Sequence, residues 1–249
     1  MSGRVLVTGG AKGVGAAIVR ALVAAGHDVD FTYRSSGAQA EALAAEIATA
    51  HPGRAVRALS LDLADKAALE AFCEAIEDTT YLGYIHNAGQ PYDVLAAMMS
   101  QDKAEAAMQV NFWSMTRIVK SVVRQMMRAR VGRIVGIGSV AALEGNQGNA
   151  AYAATKGAML SYVRTLAVES AKRGVTVNYV APGFIDTDML APYEKYRDQM
   201  EKQIPAGRFA KPEDIAALVA FLVSPGASYI TGAVLPIDGG LTATIAFQR

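Results

Sequence analysis

The sequence predicts an α/β fold, a doubly wound parallel sheet of about seven strands with helices on both faces. Three observations predict it. Short β-branched runs alternate with longer helical patterns along the chain. Each run is separated from the next by enough residues for a crossover helix, the connection parallel neighbours need. Hydrophobic residues make up 52% of 249, ample for a core, and composition does not shift along the chain, so one domain over residues 1–249 is expected.

Taken in order, residues 4–8 read as strand, 13–25 as helix, 29–33 as strand and 38–50 as helix. Residues 55–61 are the third strand, 67–77 a helix and 84–86 the fourth strand. A long helical pattern over 103–129 leads to strand 133–137, and another over 151–172 leads to strand 175–180. Residues 233–237 form the last strand. Between the last two, residues 186–203 are more polar and rich in Tyr and Met, and are expected to form an inserted lid. Such sheets bind ligands beyond the carboxyl ends of their strands, so site residues are sought in the loops after strands.

The charge balance excludes some partners. With 24 basic and 23 acidic residues the net charge is +1, too weak a field to gather nucleic acid or an anionic membrane. No apolar run reaches the ~18 residues of a membrane span, and the start of the chain leaves no room for a secretory signal, so a cytoplasmic location is expected. The single cysteine, Cys73, can form no internal disulfide, and His27, His51 and His86 form no metal-binding cluster.

The first strand runs into Thr8-Gly9-Gly10-Ala11-Lys12-Gly13-Val14-Gly15 and then an alanine-rich helix. Glycines permit positive φ and close backbone approach, and the helix N-terminus offers free N–H groups to a pyrophosphate. A carboxylate at the end of the second strand would grip the ribose 2′-hydroxyl of NAD. That place holds Tyr33, Arg34 and Ser35 instead, and Arg34 with Lys12 suits the 2′-phosphate of NADPH/NADP+. Both cations could instead be solvated surface charges.

Among the tyrosines only Tyr152 has a lysine four residues later, Lys156, on the same helix face. A ketone that accepts hydride needs an acid to protonate its oxygen, and an ammonium beside a phenol pulls its pKa towards the working pH. Ser139, after the fifth strand, is placed to hydrogen-bond a carbonyl or to cap a turn. Asn111 is a polar amide in an apolar helical stretch and must find partners.

Together these motifs resemble the short-chain dehydrogenase/reductase family, through the glycine turn, Asp62-Leu63, Asn87-Ala88-Gly89, Asn111, Ser139, Tyr152-x-x-x-Lys156, and Pro182-Gly183 with Thr187. The resemblance implies a Rossmann-type sheet of order 3-2-1-4-5-6-7. It also implies a catalytic set of Asn111, Ser139, Tyr152 and Lys156, with Asn111 holding a water that relays protons. It places Gly9, Lys12, Gly13, Val14, Gly15, Tyr33, Arg34, Ser35, Asp62, Leu63, Asn87, Ala88, Gly89, Tyr152, Lys156, Pro182, Gly183, Ile185 and Thr187 around the cofactor. His86 stands where the family has another asparagine and is read as a packing variant.

Within the family the likeness is to bacterial 3-oxoacyl-acyl-carrier-protein reductases, through Gly132-Arg133-Ile134, Gly138-Ser139-Val140, residues 178–189 and Ile204-Pro205-Ala206-Gly207-Arg208. It implies a 3-oxoacyl thioester substrate, Arg130 and Arg173 docking an acidic carrier, and a homotetramer. Tyr92, Met98, Met99, Met189, Tyr193 and Tyr196 suit an acyl chain, though Met and aromatic residues equally build cores. Acetoacetyl-coenzyme A, another ketone, or an idle NADPH-binding scaffold remain alternatives. The tail, residues 242–249, has no assigned role.

Overall fold

A computed structural model describes residues 2–244. Strands β1 (Arg4–Val7), β2 (Asp28–Tyr33) and β3 (Val56–Ser60) alternate with helices α1 (Gly13–Ala24) and α2 (Gly37–Ala50). Helix α3 (Lys66–Ile76) leads to β4 (Gly83–His86), and α4 (Gln101–Met108) and α5 (Ser114–Ala129) lead to β5 (Gly132–Ile137). Then come α6 (Ala150–Ser170), β6 (Val175–Pro182), α7 (Arg197–Glu201), α8 (Pro212–Val223) and β7 (Val234–Ile237).

All pairings are parallel, in the order β3-β2-β1-β4-β5-β6-β7. This is the expected order. The chain winds from β1 out to β3, then returns to place β4 on β1's other side, so a crevice opens between the carboxyl ends of β1 and β4. Every residue of β4, β5 and β6 is buried, as strands covered on both faces must be. One apolar cluster joins α1, α2 and α8 to one face, and another joins α3, α5 and α6 to the other.

Three local features differ from the sequence reading. The helix expected over 103–129 is interrupted by a π-turn at Gln109–Trp113, where the extra residue per turn re-aims the side chains around Asn111. The lid expected over 186–203 is largely helical, a 3₁₀ stretch at Asp188–Tyr196 followed by α7. Arg197 pins it, donating to Asp186 at 2.9 Å and 3.0 Å and to Glu201 at 3.1 Å. Of the tail, Leu241–Ala243 form a 3₁₀ turn, and residues 245–249 lie outside the described residues.

Candidate active site

The carboxyl ends of the central strands open into a cleft of about 760 Å³, within the range of small-ligand sites. Its floor is the turn from β1 to α1. Gly9 and Gly13 have φ of +67° and +53°, and a Cβ on Gly15 would stand 2.0 Å from the Gly9 carbonyl oxygen, so this turn closes only around glycine. Asn87 braces it by donating its amide to the carbonyls of Thr8 and Gly9 at 3.1 Å and 3.0 Å. Thr8 Oγ1 accepts from the backbone N–H groups of Asn87 and Ala88, tying β1 to β4. No side chain caps α1, leaving its first N–H groups for a phosphate.

Every residue expected around the cofactor lines this one cleft. Lys12, Tyr33, Arg34 and Ser35 stand together at the β2 end, with no carboxylate from β2 among them. Asp62 and Leu63 follow β3; Asp62 turns one carboxylate oxygen onto the N–H of Ala64 at 2.9 Å. The segment after β6 contributes Pro182, Gly183, Ile185 and Thr187.

At the other end stand Ser139, Tyr152 and Lys156. Ser139 is extended and its Oγ accepts from the N–H of Ala141 at 3.1 Å, so it is a cap and a cleft residue at once. Its hydroxyl acts on Tyr152 in the direction that favours the phenolate. Lys156, one turn along α6, donates to the Ile137 carbonyl at 2.9 Å and lies 5.6 Å from the Tyr152 ring centre.

The electrostatics depart from the expectation that Lys156 lowers the Tyr152 pKa. Burial, reinforced by the charge of Asp93, pushes Tyr152 up to about 12. Burial brings Lys156 down to about 8. Near neutrality Tyr152 therefore holds its proton, the form needed to give one away.

Asn111 stands behind the cleft. Its amide donates to Gln90 O at 3.0 Å and Thr155 Oγ1 at 2.9 Å, and its Oδ1 accepts from Gln90 N at 2.7 Å, so the side chain braces the loop after β4 against α6. His86 takes its backbone carbonyl with Nε2 at 3.1 Å while Nδ1 accepts from Tyr84 at 2.8 Å. Fully buried, His86 is neutral, its pKa pushed down to about 3 by burial and by Lys156.

Arg130 and Arg173 are not brought to the cleft. They precede β5 and β6, at the amino edge of the sheet, and Arg130, at φ +54°, donates to the Lys172 carbonyl at 3.3 Å. Six-residue β5 puts roughly 20 Å between that edge and Ser139.

Sequence reasoning missed Asp93. It accepts from Tyr193 of the lid at 2.8 Å and from Asn149 at 3.0 Å, and it acts on Tyr152 electrostatically. A lone aspartate in a loop carries no signal by itself. Beside it, Leu95 and Met98 are exposed at 46% and 73%, an apolar rim suited to an acyl chain.

Residues 9–242 match a family model described as enoyl-(acyl carrier protein) reductase. The chain is 40% identical over 241 residues to the 3-oxoacyl-[acyl-carrier-protein] reductase FabG of Vibrio cholerae serotype O1, covering 95% of this chain and 96% of that one. Among solved structures it is similar to a short-chain dehydrogenase/reductase from Serratia marcescens, with TM-score 0.89, 36% identity, and 96% and 97% of the two chains covered. A blue fluorescent protein from a metagenomic library, in complex with NADPH, superposes with TM-score 0.88 at 36% identity over 96% and 97%.

Proposed function

The chain belongs to the short-chain dehydrogenase/reductase family, and on that premise we propose that it reduces the ketone of a 3-oxoacyl thioester, carried on acyl carrier protein, to the 3-hydroxyacyl product. The observation that carries this reading is that Ser139, a protonated Tyr152 and Lys156 line one cleft with Lys12 and Arg34.

The cleft fits NADPH. The uncapped N-terminus of α1 suits the pyrophosphate, and Lys12 with Arg34 suits the 2′-phosphate that an acidic residue would repel. When bound, NADPH supplies the hydride. Ser139 then orients the substrate carbonyl, Tyr152 delivers a proton to its oxygen, and Lys156 supplies the positive charge that steadies the resulting phenolate. Asn111 keeps the wall of the site in register with α6.

The carrier is met by Arg130 and Arg173, and since these stand across the sheet from their own cleft, the cleft they serve is that of another copy in a homotetramer. The enzyme acts in the cytoplasm as a single domain whose lid, residues 186–203, covers the substrate. No described helix is long and apolar enough to cross a membrane.

The deciding experiment follows NADPH consumption with 3-oxoacyl carrier protein, 3-oxoacyl coenzyme A, a 2-enoyl thioester and unrelated ketones, with Tyr152→Phe as control. The proposal expects carrier-bound 3-oxoacyl chains to be turned over fastest. Turnover of the enoyl thioester alone would replace it with the activity named by the family model.

A further inference from the structure

Tyr179, on β6, is fully buried and does not line the cleft, yet its hydroxyl meets the backbone of two of the reacting residues. The oxygen accepts from the N–H of Ser139 at 3.0 Å. Its own proton lies within reach of two carbonyls, that of Ser139 and that of Lys156, each at 3.3 Å.

The sheet explains why such a contact is needed. The β5–β6 ladder ends where Gly138 N–H meets the Val180 carbonyl at 2.7 Å, and Ser139 lies one residue beyond it. A phenol from the neighbouring strand supplies the partner that the ladder no longer does. The fit is specific to these residues, because a Cβ on Gly138 would stand 1.7 Å from Tyr179 Cζ. Only a glycine at 138 admits the ring.

A closed circuit results. Lys156 Nζ donates to Ile137 O, the Lys156 carbonyl faces the Tyr179 hydroxyl, and that hydroxyl holds Ser139, two residues after Ile137. We propose that Tyr179 is a positioning residue of the ketone-reducing site, fixing Ser139 of the β5 loop against the α6 face that bears Tyr152 and Lys156. This rests on the reading of Ser139, Tyr152 and Lys156 as the reacting groups.

Tyr179→Phe removes the hydroxyl and leaves the ring. The expected result is a roughly tenfold fall in kcat with KM for NADPH and ketone changed less than twofold. Because Ser139 lowers the Tyr152 pKa, loosening Ser139 should also move the acid limb of alcohol oxidation to higher pH. A residue that only fills space would leave that limb in place.

Should Tyr179→Phe fail to fold, Tyr179→Leu is the second variant that lacks the hydroxyl, and the same loss and shift are expected. Wild-type kcat and an unmoved profile in the folded variant, beside an inert Tyr152→Phe, overturn the proposal alone. Full activity of Tyr152→Phe removes the underlying reading and the proposal with it.

Discussion

The hydroxyl of Tyr193 donates to Asp93 at 2.8 Å, fastening the lid to the loop after β4. Asn149 donates to the same carboxylate at 3.0 Å, so three segments meet at one acid. Tyr193→Phe should raise KM for the acyl substrate roughly threefold with little change in kcat, since an exposed hydrogen bond is worth about 1 kcal/mol or less. Steady-state kinetics on a long-chain and a short-chain substrate test this, and a fall in kcat alone would assign the contact elsewhere.

The same carboxylate acts on the chemistry. Asp93 raises the Tyr152 pKa, so Asp93→Asn should lower it and move the acid limb of alcohol oxidation to lower pH, opposite to the shift expected of Tyr179→Phe. In the wild type, Lys156 titrates at about 8 and Tyr152 at about 12, so reduction should be flat near neutrality and decline as pH rises through about 8. Its loss would track the Lys156 charge. Tyr152→Phe should cost roughly a thousandfold in kcat across this range.

At the far end of the cleft, Arg34→Asp puts a carboxylate where the 2′-phosphate is expected. KM for NADPH should rise roughly 10- to 100-fold while that for NADH falls. Unchanged NADPH kinetics would leave Arg34 a solvated side chain.

Charge reversal of Arg130 and Arg173 should raise KM for carrier-bound substrate roughly tenfold, most strongly at low salt, and spare a small free ketone. Equal effects on both substrates would remove the docking role. A mixed oligomer pairing an Arg130→Glu/Arg173→Glu copy with a Tyr152→Phe copy separates docking in cis from docking in trans.

His86 makes folding pH-dependent. Burial pushes its pKa down to about 3 in the folded chain from the ordinary 6.5 of a free imidazole, so its burial is free of proton cost above pH 6.5. As pH falls from 6.5 towards 3 the unfolded chain binds a proton that the folded chain refuses, and stability declines by a few kcal/mol. Denaturant titrations of wild type and His86→Asn across that window should show the stability difference between them shrinking with acid. A constant difference would contradict the burial of a neutral ring.

The strands, the glycine turn and the Tyr152–Lys156 pair are legible because each has a local signature, periodicity, φ > 0 chemistry or one-turn spacing, while the strand order is legible only through the family resemblance. The π-turn at Gln109–Trp113 was not, since its composition is that of the helices flanking it. Nor was the fit of Tyr179 to Gly138, which joins strands 41 residues apart through a side chain that reads as ordinary core. The direction of the Tyr152 shift is not legible for a similar reason: spacing places Lys156 beside the phenol, but burial of the phenol and the charge of Asp93, which raise its pKa, depend on the fold. Arg130 and Arg173 were identified by their positions in the chain, and only the three-dimensional fold shows them at the sheet's opposite edge.

The order β3-β2-β1-β4-β5-β6-β7 carries a kinetic consequence. The central pairing, Val5 with Gly83, joins residues 78 apart in the chain, and the closure entropy of that long connection opposes it. Refolding should therefore take milliseconds to seconds rather than microseconds, because no two consecutive strands can zip from a hairpin. During synthesis the strands that form the adenosine half emerge first, and the segments bearing Ser139, Tyr152 and Lys156 follow on the order of ten seconds later. The nascent chain would thus present a nucleotide platform before it has any means of reaction, and a nucleotide in the cell can stabilise the first half while the second is still being made.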